Sequence, residues 1–156
     1  MQHVIFVLLV LLYINVIEEY FVSSPGSEAL QIKINTNITA TIGDTNVKLW
    51  CSYIKEDGDY IHFINMEARD KTSEKNIRLA TFYPPERMKE AILAAEYLTG
   101  RVNLTSPTEE SSEAILTFNK IQCVDDTDYI CSISYDTNGI IHKKQTISTN
   151  ITVKRK

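Results

Sequence analysis

The chain has 156 residues, a length that suits one domain plus a leader, and its net charge is −4, with lysines scattered among acids. No basic face or base-stacking platform can be read from it, so nucleic acid is not an expected partner. Beyond the leader its histidines are His62 and His142, on different predicted strands, and no Ser or Cys stands in the sequence context of an activated nucleophile. Zinc-ligand spacings and a glycine-rich phosphate loop are also missing from the sequence. The sequence therefore predicts neither an enzyme nor a cofactor.

The first element is an apolar run from Val4 to Ile17, interrupted at Asn15. It is long enough for the core of a signal peptide and short for a membrane span. We predict that residues 1–22 are a signal peptide, with cleavage between positions 20 and 29; an uncleaved signal anchor is the alternative. No second apolar stretch follows, so no membrane span is expected after leader removal. The expected location is secreted and extracellular.

Period-two alternation of apolar and polar residues then recurs between turn signals, as in an all-β sandwich. In residues 47–53 the odd positions are apolar, so Cys51 is expected to face a core. Asn138-Gly139 is a hairpin signal that joins the last two strands, because both residues tolerate positive φ. The predicted strands lie near residues 32–34, 38–42, 47–53, 60–65, 77–83, 101–104, 114–118, 129–135 and 143–153.

Residues 84–97 break this alternation. Pro84 and Pro85 open the segment, good helix formers follow, and Met88, Ile92 and Ala95 fall on one stripe. The pattern predicts a short helix, inserted between the middle strands, that packs its apolar stripe over the sandwich. The alternative is a helix that contacts a partner.

The most specific pattern of the chain runs from Arg101 to Cys131. Tyr129 stands two residues before Cys131, the spacing of a tyrosine corner, in which the phenol hydroxyl bonds to backbone just upstream. Asp125 stands six residues before the same cysteine, and Arg101 opens an alternating segment upstream. Together with Cys51 in the front half, this constellation resembles a variable-type (V-set) immunoglobulin domain.

The resemblance covers residues 30–154 and implies an immunoglobulin-like two-sheet Greek-key sandwich. It implies an inter-sheet disulfide between Cys51 and Cys131, and a salt bridge between Arg101 and Asp125 across the bottom of the sandwich. A core tryptophan is typical of the third strand in this family. Here Phe63 is expected to take its place.

Function follows from the same resemblance, which implies a secreted domain for cell recognition that binds a cell-surface or soluble protein, in an adhesion, receptor or immune role. The alternatives are the distal ectodomain of a membrane receptor, a soluble decoy or immune modulator, and a self-associating adhesion unit. Such domains bind through the loops at one end, here residues 54–59 and 136–141, or through the outer face of one sheet. That face is expected to be more apolar than solvation requires. By alternation, its residues are Tyr60, His62, Ile64, Ile130, Ser132, Ser134, Thr146 and Ser148.

Three sequons predict a glycoprotein modified at Asn37, Asn103 and Asn150. Cys123 is the odd cysteine, which predicts an intermolecular disulfide, either a covalent homodimer or a mixed disulfide, with a capped or part-buried thiol as the alternative. A homodimer through the outer sheet face is also open. The acidic residues 57–59 and 125–128 could offer oxygens to calcium, but a loop turn and the sandwich corner explain them, so no metal is predicted.

Overall fold

The computed structural model describes residues 30–155, so the predicted leader and its cleavage region lie outside the described residues. In chain order the strands are β1 (Gln31–Ile34), β2 (Ile38–Thr41), β3 (Val47–Ile54), β4 (Asp59–Arg69), β5 (Asn76–Phe82), β6 (Ile92–Leu93), β7 (Val102–Thr105), β8 (Glu113–Phe118), β9 (Thr127–Thr137), β10 (Ile140–Gln145) and β11 (Thr149–Lys154). Short 3-10 turns lie at Pro85–Arg87, Glu96–Leu98 and Cys123–Asp125.

Within the described residues the strands form two sheets of a sandwich. The smaller sheet has the order β1-β3-β8-β7, and the larger has the order β2-β11-β9-β4-β5-β6, with β10 paired to β9. β2 pairs in parallel with β11, so the chain passes from the edge of one sheet to the edge of the other within its first two strands. Across residues 30–155, no helix is long and apolar enough to cross a membrane.

The core lies between the sheets because alternation buries one side of each strand. On β3 the buried residues are Leu49, Cys51 and Tyr53, as the sequence pattern predicts. Cys51 is joined to Cys131 on β9 by a disulfide with a Cα–Cα distance of 6.1 Å, which confirms the implied pairing. The bond spans a sequence separation of 80 residues. Closing a loop of this size stabilises the folded state by about 4 to 5 kcal/mol in chain-entropy terms.

β4 departs from strict alternation at a β-bulge. Ile61 lies opposite Tyr135 on β9 and Phe63 lies opposite Ser134, so His62 is the extra residue. The extra residue shifts the pleat, and the core side after the bulge is taken by Ile64, which is fully buried. Phe63 is only half-buried and shares the solvent side with Ser134. The predictions that Phe63 fills the core and that Ile64 faces a partner are therefore both wrong.

The helix predicted over residues 84–97 is also wrong. The 3-10 turn Pro85–Arg87 ends at Met88, whose φ of 49° is left-handed and cannot continue a right-handed helix. Ile92–Leu93 then pair with β5 as a short edge strand, and Leu79 O accepts a hydrogen bond from Ala94 N at 2.8 Å. The open edge of β5 offers unpaired backbone groups, and pairing with them outweighs the helix propensity of the segment.

The last predicted strand, residues 143–153, is interrupted between β10 and β11. Thr146 fills the gap, because its N–H donates to Cys131 O at 2.9 Å and its hydroxyl oxygen accepts from Cys131 N at 3.1 Å. The hairpin before β10 is confirmed: Asn138 and Gly139 have φ values of 54° and 80°.

Asp125 organises the bottom of the sandwich. Its Oδ2 accepts hydrogen bonds from Arg101 Nη2 at 2.7 Å and from Gln122 N at 2.8 Å, and its backbone O accepts one from the Tyr129 hydroxyl at 2.8 Å. The side chains of Arg101 and Asp125 are 17% and 1% exposed. Burial, and then the charge of Asp125, raise the pKa of Tyr129, so its phenol stays a donor across the physiological range.

We expect Asp125→Ala to lower the free energy of unfolding by about 2 to 4 kcal/mol, because it leaves a largely buried guanidinium without its charged acceptor. Urea denaturation of the purified protein measures this change. Lys71→Ala is the matched control: it removes the exposed pair Lys71–Asp126, whose side chains are 66% and 35% exposed, and should cost only about 0 to 1 kcal/mol. Equal midpoints for the two variants would contradict the central role of Asp125.

Candidate recognition surface

The solvent side of the larger sheet, called the outer face below, is fixed by the register of its strands. Residues directly opposite each other on neighbouring strands point to the same side of a sheet. Starting from Phe63 and Ser134, the register gives three rows across the face, which are Tyr60–Asp136–Ile141, Phe63–Ser134–Lys143, and Ile92–Thr81–Asn65–Ser132–Gln145. Ile130 lies opposite Glu67 and extends the face toward the bottom of the sandwich.

Apolar side chains are spread over this face. Tyr60, Ile92 and Ile141 are 43%, 54% and 71% exposed, and Phe63 and Ile130 are half-buried. Phe63, Ile92 and Ile141 were not predicted on this face from the sequence. The bulge turns Phe63 outward, β6 was predicted as part of a helix, and Ile141 was assigned to the loop end instead of β10. The face therefore offers more apolar area than alternation alone predicts.

The centre of the outer face is polar and recessed. Asn65, Thr81 and Ser132 lie on the solvent side but are only 8%, 7% and 1% exposed. Thr81 Oγ1 donates to Asn65 Oδ1 at 2.8 Å, and Ser132 Oγ donates to Glu67 Oε1 at 3.3 Å. Ser132 was predicted as an exposed contact residue, and its burial makes that prediction wrong. These short side chains instead form a hydrogen-bonded floor between larger neighbours.

One end of the outer face carries a cluster of Tyr60, His62 and Arg87. The Tyr60 and His62 rings meet edge to face with centroids 5.4 Å apart. The Arg87 guanidinium lies 5.5 Å from the centroid of the Tyr60 ring and donates from Nη1 to the Tyr60 hydroxyl at 3.1 Å. This combination of cation–π contact and hydrogen bond fixes the Tyr60 ring in one orientation. No signal in the sequence connects Arg87 with Tyr60.

The turn that carries Arg87 is fixed on both sides. Lys55 Nζ lies 2.6 Å from Glu86 Oε1, and this hydrogen bond lowers the pKa of the Glu86 carboxyl. On the other side the Lys89 ammonium lies 5.3 Å from the centroid of the Tyr83 ring. Met88, between these contacts, is 93% exposed. The sequence pattern placed Met88 on the apolar stripe of a helix, whereas the turn presents it to solvent.

The loop end predicted as the competing site adjoins the outer face, because Tyr60 lies opposite Asp136. Asp59 closes this end: its Oδ1 accepts from Thr137 Oγ1 at 2.6 Å and its Oδ2 from Glu56 N at 3.1 Å. A groove of about 460 Å³ lies here and includes Asp57, Tyr135 and His142 in its lining. In the part of the chain that the structure describes, no group of His, Cys, Asp and Glu side chains is arranged to hold a metal ion.

The remaining predicted site residues lie apart from this cluster. Ser134 is half-buried beside Phe63, and Ser148 is exposed beyond the gap that Thr146 fills. Cys123 is an exposed free thiol on the 3-10 turn before β9. It lines a groove of about 350 Å³ with Ile77, Tyr97 and Val124.

No protein-family model and no curated protein matches the chain. Among solved structures 1831 chains match it. One is murine CRIg, with a TM-score of 0.62 and 16% sequence identity, over 80% of this chain and 98% of that chain. The chain has the variable-type immunoglobulin fold. A fold shared by so many chains identifies no ligand by itself.

The register of β4 can be tested by comparing substitutions at two neighbouring residues. We expect Ile64→Thr to lower the free energy of unfolding by about 2 to 4 kcal/mol, because it removes a core methyl group and buries a hydroxyl. Phe63→Thr introduces the same β-branched residue one position earlier. It should cost about 1 kcal/mol or less, since Phe63 lies on the solvent side. Chemical denaturation of both variants measures the difference. The reverse order would show that β4 has no bulge at His62.

Proposed function

We propose that this protein is an extracellular recognition domain that binds a protein partner through the outer face of its larger sheet. The observation that carries the proposal is the set of aromatic and branched apolar side chains spread over the solvent side of β4, β9 and β10, namely Tyr60, Phe63, Ile130 and Ile141. A sheet that needed only solvation would present polar side chains there. The predicted leader and the sequons support passage to the extracellular space.

The outer face has the composition of a binding surface. Tyr60 and Phe63 are large side chains with few rotatable bonds, so a partner can bury them at a low cost in conformational entropy. Arg87 holds the Tyr60 ring in place before any partner arrives. Around these anchors lie charges of both signs, Asp136 and Lys143, which would select a partner with a mixed polar rim.

The partner class is a protein, on a cell surface or in solution, and a library of cell-surface ectodomains probed with the purified protein is the means to find it. Against the partner so identified, the double variant Tyr60→Ser with Phe63→Thr should raise the dissociation constant by roughly 30-fold or more, because the loss of even one interface anchor commonly costs about 2 kcal/mol. Surface plasmon resonance measures the change.

The loop variant Thr137→Ala with Asn138→Ala is the matched control and should bind within about threefold of the parent, a change of less than 1 kcal/mol. Melting curves of all variants check that the fold is retained. If the loop variant loses binding while the face variant keeps it, recognition belongs to the loop end and the proposed surface is wrong.

Self-association is a second candidate, favoured by the surroundings of Cys123. The exposed side chains Ile77, Tyr97 and Val124 share its groove and are 42%, 45% and 57% exposed. Two copies that meet at this groove would bury these side chains and bring two thiols together. Non-reducing mass analysis of the secreted protein tests this candidate: a dimer that Cys123→Ser abolishes supports it, and a parent protein that is fully monomeric excludes it.

A further inference from the structure

The three sequons of the chain occupy different structural positions. We infer that Asn37 and Asn103 carry N-linked glycans and that Asn150 stays unmodified, because the amide of Asn150 is part of the fold. The inference rests on entry into the secretory pathway, which the proposed function includes.

Asn150 lies on β11, an interior strand between β2 and β9, and it is half-buried. Its Nδ2 donates two hydrogen bonds into β9, to Thr127 O at 3.2 Å and to Asp128 Oδ1 at 3.0 Å. Its Oδ1 accepts from the hydroxyl of Thr152, the third residue of the sequon, at 2.6 Å. A side-chain amide has two N–H donors, so both donors of Asn150 are used within the protein.

Glycosylation would remove one of these donors. The transfer takes an oligosaccharide from a lipid-linked diphosphate donor. The sugar C1–O bond breaks and the lipid diphosphate leaves with its electron pair, a C1–N bond to Nδ2 forms, and the proton that Nδ2 gives up passes to solvent. At Asn150 the attached sugar would take the place of a hydrogen that points at β9. A chain modified there would lose one of the two hydrogen bonds that tie the Asn150 amide to β9 and would have to place the sugar where Thr127 O or Asp128 Oδ1 now lies, so the folded state selects against a glycan at this site.

Asn37 has the opposite geometry. It is exposed, just before the edge strand β2, and it is bonded through its carbonyl: Oδ1 accepts from Asn150 N at 3.1 Å. Among the described residues its Nδ2 makes no hydrogen bond. Since N-glycosylation leaves the amide carbonyl in place, Asn37 can hold Asn150 and carry a sugar at the same time.

Asn103 also suits a glycan. It is exposed on β7, the edge strand of the smaller sheet, and its Nδ2 makes a single hydrogen bond, to Asn119 Oδ1 at 2.8 Å. A glycosylated amide keeps one N–H, so this bond can persist or be replaced by water at the exposed site. Both proposed glycans therefore leave from sheet edges, and the outer face around Phe63 and Ile130 stays uncovered.

Site-resolved glycopeptide mass spectrometry tests the inference on the full chain secreted from cultured cells. A strong heterologous signal peptide fused ahead of Met1 makes entry independent of the native leader, so a failure here is separate from a failure of the proposed secretion or partner binding. We expect occupied peptides for Asn37 and Asn103 and an unmodified peptide for Asn150. A glycan at Asn150 in folded, secreted protein overturns the inference, and so does an unmodified Asn37 or Asn103.

Threonine variants supply a second measurement that leaves the amides intact. Thr39→Val and Thr105→Val should each remove one glycan and increase gel mobility, whereas Thr152→Val should leave mobility unchanged. In protein produced without glycosylation, Asn150→Asp should lower the melting temperature by roughly 3 to 8 °C through loss of both donors, while Asn37→Asp, which keeps its acceptor oxygen, should change it little. Equal melting temperatures for the two Asp variants would refute the structural role of the Asn150 amide.

Discussion

The antiparallel pairing of β4 with β9 determines which side chains enter the core and which lie on the solvent side of the larger sheet. On the core side Ile64 lies opposite Ile133 and Met66 opposite Cys131, and Cys131 carries the disulfide to the other sheet. On the solvent side the same register places Phe63 beside Ser134. A slip of one residue would exchange core and solvent side chains along the whole strand. The disulfide and the apolar core therefore hold the outer face in register.

The bottom of the sandwich contains a buried ion pair. Asp125 is almost fully buried, and a carboxylate there is tolerated because the Arg101 guanidinium and the Gln122 N–H both donate to it, while the Tyr129 hydroxyl donates to the backbone carbonyl of the same residue. This network lies at the end of the sandwich away from the Tyr60 cluster. The variants that test stability and those that test binding therefore change separate parts of the molecule, and additive effects are expected between them.

The constellation of Cys51, Arg101, Asp125, Tyr129 and Cys131 was readable in the sequence because each residue has a fixed spacing and a specific chemistry. The bulge at His62 was not, since Tyr60–Asn65 alternates equally well in either register and only pairing with β9 inserts the extra residue. The helix failed for a related reason: residues 84–97 have helix propensity, but the open edge of β5 and the left-handed Met88 decide the outcome. Propensity is local, whereas strand pairing depends on residues far away in sequence. The side chains that reach the outer face are decided by strand pairing, so the sequence alone predicted them incompletely.

The proposed glycans lie at sheet edges, and their positions affect how other molecules can reach the outer face. An edge strand exposes unpaired backbone groups and invites pairing with a second chain, which proteins commonly prevent by covering or charging the edge. In this fold β7 and β2 are such edges, and Asn103 and Asn37 stand on or beside them. Glycans there would block pairing between sheets of different molecules, whereas a glycan on the interior strand β11 would protect no edge and would remove one of the bonds from Asn150 to β9. Pairing through β7 and β2 would then be prevented, which is consistent with the proposed binding through the side chains of Tyr60, Phe63 and Ile130 rather than through backbone pairing at these two edges.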